Sequence, residues 1–237
     1  MGLGNPAQYQ YTRHNAGKYV CSRVQEYMKL GPYKEFTTEP ATIRMYRDHP
    51  GLLFAEPNTY MNVSSLAVEE TNRWFSYNLM HVFPHSKFFL VHDDLELASG
   101  KMAYRFQCRS TKGHNGLKSI VELTHGTVKF PRLRLGIGRP TTRDRDTVAA
   151  YVLAPFSAEE KKVLDNDIVP MFADILDVIL QGDLILPKDP HSAQAWNKIF
   201  NQLNGKLVGN ELEVHKKQDW RQKQWYLANK STEVSNI

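Results

Sequence analysis

His14, Asp93 and the asparagines Asn5, Asn62 and Asn115 are the side chains of this 237-residue chain whose types could run an acid–base reaction. Histidine titrates near neutrality, so it is the natural acceptor of a proton from water. A carboxylate on its other ring nitrogen fixes the tautomer and stabilises the imidazolium as it forms, and Asp93 can fill that place. Asparagine amides can donate to an oxygen on which charge develops. Such a set could hydrolyse an activated acyl bond without a metal. Singly, each residue has a plainer role. His14 lies in a Thr12-Arg13-His14-Asn15 stretch where a loop histidine is ordinary, Asp93-Asp94 could end a strand with solvated acids, and asparagine is common at caps and turns.

The elements that must position these residues alternate between strand and helix. Val20, Val24 and Met28 recur at four-residue spacing and predict a helix stopped by Gly31-Pro32. Ala41 to Tyr46 and Leu52 to Ala55 read as strands around a turn at Asp48-His49-Pro50-Gly51, and a helix follows from about Ser65. Phe88-Phe89-Leu90-Val91 is wholly apolar, as expected of a buried central strand. Met102 to Phe106 reads as a strand, and Leu117, Ile120 and Val121 place a helix after Gly113-His114-Asn115-Gly116. Leu133, Leu135 and Ile137 alternate with Arg132 and Arg134, a strand with one basic face. Ala158 to Gln181 is helical with a kink or break expected at Pro170, and Ala195 to Phe200 suggests one more helix. The fold class is therefore α/β, a single domain with a mixed, mostly parallel sheet flanked by helices on both faces. Ligands in such sheets sit beyond the carboxyl ends of the strands, and His14, Asp93 and Asn115 all fall on loops near predicted strand ends.

Composition narrows the field without choosing. Thirty Lys+Arg against 25 Asp+Glu leave +5, a mildly basic balance compatible with a polyanionic partner. Cys21 and Cys108 are too few for a disulfide framework or a metal cluster and read as free thiols. His81, His85, His125 and His191 lack metal-ligand spacing with cysteine or acidic partners, and no apolar run approaches the roughly 18 residues of a membrane span. Gly2-Leu3-Gly4 has the opening of a nucleotide phosphate loop, but Ala7 stands where its third glycine belongs.

Taken in order, Gly2-Leu3-Gly4-Asn5-Pro6, Thr12 to Gly17, Tyr60-Met61-Asn62, Val91 to Leu95, Gly113 to Ser119 and Leu135 to Gly138 resemble the bacterial-type peptidyl-tRNA hydrolase family over roughly residues 1 to 203. That resemblance implies hydrolysis of the ester between peptide and tRNA by a monomer, with no cofactor and no metal. It implies that His14 accepts the proton, Asp93 orients it and Asn5 senses the blocked peptide nitrogen. Tyr9, Tyr60, Met61, Asn62 and Asn115 would hold substrate and water, and Arg105, Arg132 and Arg134 would bind tRNA phosphates. Lys101, Arg109, Lys112 and Arg139 add cations nearby. The role of His92 reads as structural, and that of His114 stays open between structure and chemistry.

The pattern departs from the family at Ala7, where a glycine is usual, and the loop from Asn5 to His14 is one residue shorter. Residues 109 to 112 are bulkier than the family's glycine-rich stretch. Residues 204–237 form a basic, aromatic extension that includes Trp220, Lys223 and Trp225, either a helix or a frayed tail. In the family a central strand precedes Gly-Leu-Gly-Asn; with Met1 directly before Gly2, the strand is expected to be missing and the chain to be a truncated form. Cytoplasm and mitochondrial matrix are both compatible with this sequence. The alternative function is an RNA-binding relative that keeps the scaffold without the chemistry, as organellar splicing factors of this lineage do.

Overall fold

Helix α1 (Ala16–Tyr27) follows a 3-10 turn at Arg13–Asn15 and buries Val20 and Val24, the four-residue repeat of the sequence, ending before Gly31-Pro32. The computed structural model describes residues 1–83, 88–105, 110–123, 125–126 and 131–180. β1 (Tyr33–Thr37), β2 (Ala41–Tyr46) and β3 (Leu53–Pro57) form an antiparallel meander, the only arrangement that its short connections permit. β1 was not legible in the sequence, because its residues are almost all exposed and lack the alternation that marks a half-buried strand. Helix α2 (Ser64–Asn78) starts from a 3-10 turn at Met61–Val63. Then come β4 (Leu90–Asp94), β5 (Met102–Arg105), α3 (Asn115–Leu123) and β6 (Arg132–Gly136). Helix α4 (Arg145–Leu153) begins at Asp144, whose side chain accepts from Thr147 N at 2.9 Å. Helices α5 (Ala158–Val163) and α6 (Val169–Leu180) complete the described chain.

The second sheet has the order β4-β6-β5, with β6 parallel to β4 and antiparallel to β5. Antiparallel ladders outnumber parallel ones among the described strands, because the meander contributes two of them. The start of the chain corrects the expectation that the first strand is wholly missing. Gly2 bridges Val91 in parallel, Val91 N donates to Met1 O at 2.8 Å, and Leu3 N donates to Val91 O at 2.8 Å. Residues 1–3 thus cover the edge of β4 opposite β6 and satisfy its backbone groups there. Met1 and Leu3 pack with Ile43 and Ala55 of the meander and with Val68, Leu117 and Ile120 of α2 and α3. On the other face, α1 and α6 enclose Val91, Leu133 and Leu135. Helices therefore cover both faces, and each fully buried aliphatic side chain contributes about 1.5–3 kcal/mol.

The irregularity expected at Pro170 lies just upstream of it. Leu164–Ile168 is a π turn, in which Val169 N reaches back to Leu164 O. Proline has no N–H for the normal bond to the carbonyl four residues earlier, so the helix widens there instead of stopping. Cys21 is buried as a free thiol. Cys108, Arg109, the predicted helix around Ala195 to Phe200 and the extension 204–237 lie outside the described residues. Among the described residues no helix is long and apolar enough to cross a membrane.

Candidate active site

Close backbone approach sets the site. A Cβ on Gly17 would lie 2.2 Å from Val91 O, and one on Gly2 would lie 2.3 Å from Gly17 O. Only glycine lets the first turn of α1 rest against β4 and residues 1–3, and that contact carries the preceding turn, with His14, to the end of β4. From the other side, Arg13 N donates to Ala154 O at 3.1 Å and Phe156 N to Tyr11 O at 2.8 Å. The Arg13 guanidinium makes a bidentate pair with Glu160 at 2.8 Å and lies over the Tyr151 ring. Glu160 also closes the capping box of α5 with Ser157, so one carboxylate caps that helix and anchors the histidine turn.

His14 Nδ1 sits 3.0 Å from each oxygen of Asp93, and both side chains are buried. Burial alone would hold His14 neutral, but the adjacent carboxylate outweighs it and raises the histidine above its ordinary pKa. Burial likewise opposes ionisation of Asp93, and the His14 and His114 rings overcome it, holding the carboxyl far below the usual carboxylate range. His114 Nε2 lies 3.1 Å from Asp93 Oδ1. His92 Nδ1 donates to Asp93 O at 2.7 Å. Burial, with His114 and Arg132 nearby, pushes His92 down to about 3, so its ring is neutral.

His14, Asp93 and His114 together offer donor atoms close enough for a cation. The tautomers oppose that use. Leu117 N–H donates to His114 Nδ1 at 3.3 Å, so Nε2 carries the proton and has no lone pair to give. The three form a hydrogen-bonded chain, and they line a cavity of about 810 Å³ together with Asn115.

Further along the same cavity wall stand Arg105, Arg132 and Arg134. Arg132 and Arg134 alternate with leucines as the sequence indicated, yet all five residues of β6 are buried. Arg134 Nε holds Asp94 Oδ2 at 2.6 Å, and this contact lowers the Asp94 carboxyl against the opposing effect of burial. Arg105 is exposed. Lys112, Arg143 and Arg145 also line the cavity; Arg143 and Arg145 escaped the sequence reading because they precede or begin α4, a helix without a clear apolar stripe.

The remaining expected residues do not line that cavity. Asn5 is buried, with its Oδ1 accepting from Met61 N at 2.9 Å. Its backbone is held by Asn15, whose Oδ1 accepts from Asn5 N at 2.8 Å and whose Nδ2 donates to Asn5 O at 3.0 Å. Lys18 Nζ donates to Asn5 O at 3.2 Å and to Pro57 O at 3.0 Å while pairing with Glu56. Tyr9 and Tyr60 meet edge to face with centroids 6.4 Å apart, and Asn62 is exposed beside them. Asn15 and Lys18 were missed as site-builders; an amide or amine that braces backbone leaves no periodic trace in sequence.

The fold and site thus define an α/β protein with a buried His–Asp pair at the head of a cationic cavity. Residues 1–197 match the family model for peptidyl-tRNA hydrolase, and the chain belongs to that family. It is 39% identical over 173 residues to a peptidyl-tRNA hydrolase of Aquifex aeolicus, covering 70% of this chain and 81% of that one. A peptidyl-tRNA hydrolase of Persephonella marina is 38% identical over 183 residues, 77% of this chain and 90% of the other. The crystal structure of peptidyl-tRNA hydrolase from Acinetobacter baumannii superposes with a TM-score of 0.63 at 25% identity, covering 86% of this chain and 92% of that one.

Proposed function

We propose that this protein hydrolyses the ester bond of peptidyl-tRNA, with His14 as the general base and Asp93 as its orienting carboxylate. The observation that carries the reading is the placement of His14 Nδ1 at 3.0 Å from both Asp93 oxygens, on the wall of a cavity that continues between arginines. With Nδ1–H donated to the carboxylate, Nε2 is the nitrogen left to take a proton from water. Water attacks the ester carbonyl, the imidazolium formed is stabilised by Asp93, and the proton is returned to the departing ribose oxygen. Asn115 donates to the developing oxyanion, for which its position at the start of α3 and on the cavity wall is suitable.

Asn5 ties its own loop to the Tyr60-Met61-Asn62 turn through Met61 N, and the second lone pair of its Oδ1 accepts from the N–H of the blocked peptide nitrogen. Tyr9, Tyr60, Met61 and Asn62 hold the acyl group or terminal nucleotide from that side. Arg105 holds a tRNA phosphate, with Arg132 and Arg134 supplying the field behind it. All these groups come from one chain, so the reading needs no second copy and no cofactor.

The test is release of N-blocked amino acid from tRNA, with unblocked aminoacyl-tRNA as the control. Rapid release from the blocked substrate alone is expected. tRNA binding without release would instead favour the RNA-binding relative.

A further inference from the structure

His114 was left unassigned by the sequence, and the geometry around it is specific. Its Nδ1 accepts from Leu117 N–H at 3.3 Å, three residues on, which is the bond of an N-terminal cap on α3. That bond fixes the tautomer, so Nε2–H points at Asp93 Oδ1, 3.1 Å away. The ring is packed between two others, 4.9 Å from the His14 centroid and 4.9 Å from that of His92. Its side chain is 8% exposed, which leaves little surface for substrate.

We infer that His114 is a positioning residue for the reaction: a second donor that shares Asp93 with His14, pins the carboxylate and limits its pull on the catalytic imidazole. This rests on the assignment of His14 as the base. A carboxylate that accepts from two N–H groups is held in plane and gives less charge to each partner. Without the second donor, Asp93 would bind the His14 imidazolium more tightly, and His14 would stay protonated to higher pH. The same bond connects β4 at Asp93 to the helix whose first residue is Asn115, so base and oxyanion donor are set by one side chain. The other titratable groups of the cavity wall beside the pair are His92 and Asp94 on β4, Arg132 and Arg134 on β6, and Arg145 on α4. None of them stands between His114 and Asp93.

Two substitutions separate the functions of the two ring nitrogens. An asparagine amide lies where Nδ1 lies, so His114→Asn keeps the cap on α3 and loses the donor to Asp93. A glutamine amide reaches the place of Nε2, so His114→Gln restores that donor. The His14 ring is titrated by NMR in the free protein, and the single-turnover rate on N-blocked aminoacyl-tRNA is followed across pH.

For His114→Asn, the His14 midpoint and the acidic limb of the rate are both expected to rise by about half a pH unit, with the rate constant at neutral pH down about tenfold. For His114→Gln both should return toward the wild-type values. An unmoved His14 midpoint in the asparagine variant overturns the proposal, even if the rate falls, since that would be a purely structural loss. A shifted midpoint in a protein whose wild type releases nothing would keep the shared carboxylate and overturn the reading of the substrate instead.

Discussion

At the scale of residues, the chemistry depends on which of four neighbouring titratable groups carries charge. Asp93 is ionised, His92 is neutral, His14 is poised above the ordinary histidine value, and the cap bond makes His114 Nδ1 an acceptor. Replacing His14 by alanine removes the proposed base and should cost about two to four orders of magnitude in single-turnover rate. A wild-type rate in that variant would remove His14 from the mechanism. Stability should show the same charges with opposite signs. His14, raised in the folded state, contributes stability that is complete below the ordinary histidine value and lost as pH rises through its folded value. His92 takes up a proton in the unfolded chain near 6.5 but in the folded one only near 3. Across that window it lowers stability by up to about 1.4 kcal/mol per pH unit as pH falls. Denaturant melts between those limits check this. His92→Asn keeps a donor at the Nδ1 position and should flatten the slope by one proton, and an unchanged slope would count against a neutral His92.

At the scale of elements, the site exists because the first turn of α1 meets β4 at Gly17 without a side chain between the two backbones. Gly17→Ala would put a Cβ against Val91 O, where backbone must yield, and should cost about 2–3 kcal/mol while moving His14 from Asp93. A thermal melt and activity equal to wild type would contradict that placement. How far the sequence reveals such elements depends on what each one buries. The apolar run before Asp93 announced β4, and the alternation of Leu133 and Leu135 announced β6, since burial writes itself into periodicity. β1 is exposed and α4 buries no residue fully, so neither leaves that mark. His14 and Asp93 were legible through residue type and motif order, whereas Asn15, Lys18 and His114 act by bracing backbone or another side chain. The enclosure of Arg132 and Arg134 was also hidden, because an arginine in a strand looks the same whether it faces solvent or a cavity wall.

At the scale of the whole molecule, a modest excess of positive charge is concentrated where a polyanion would lie. Arg105 is exposed, whereas Arg134 is buried on Asp94, and the two should respond differently to neutralisation. Arg105→Gln should weaken tRNA binding across all tRNAs and reduce the slope of log affinity against log salt by about 0.7 to 0.9. Arg134→Gln leaves the half-buried Asp94 carboxylate without its partner and should first cost about 1–2 kcal/mol of stability. Salt titrations and melts of both variants separate the cases; an unchanged slope for Arg105→Gln would mark it as a solvated surface cation. The central claim is that a carboxylate-oriented His14 performs the hydrolysis, and the most direct test is the pH dependence of single-turnover release from N-blocked aminoacyl-tRNA in wild type and Asp93→Asn. For the wild type, an acidic limb with its midpoint above 6.5 is predicted, as the raised His14 requires. In Asp93→Asn the amide favours the wrong tautomer, so the rate should fall by about two orders of magnitude or more and any remaining limb should move to lower pH. Equal rates with an unmoved midpoint would contradict the account.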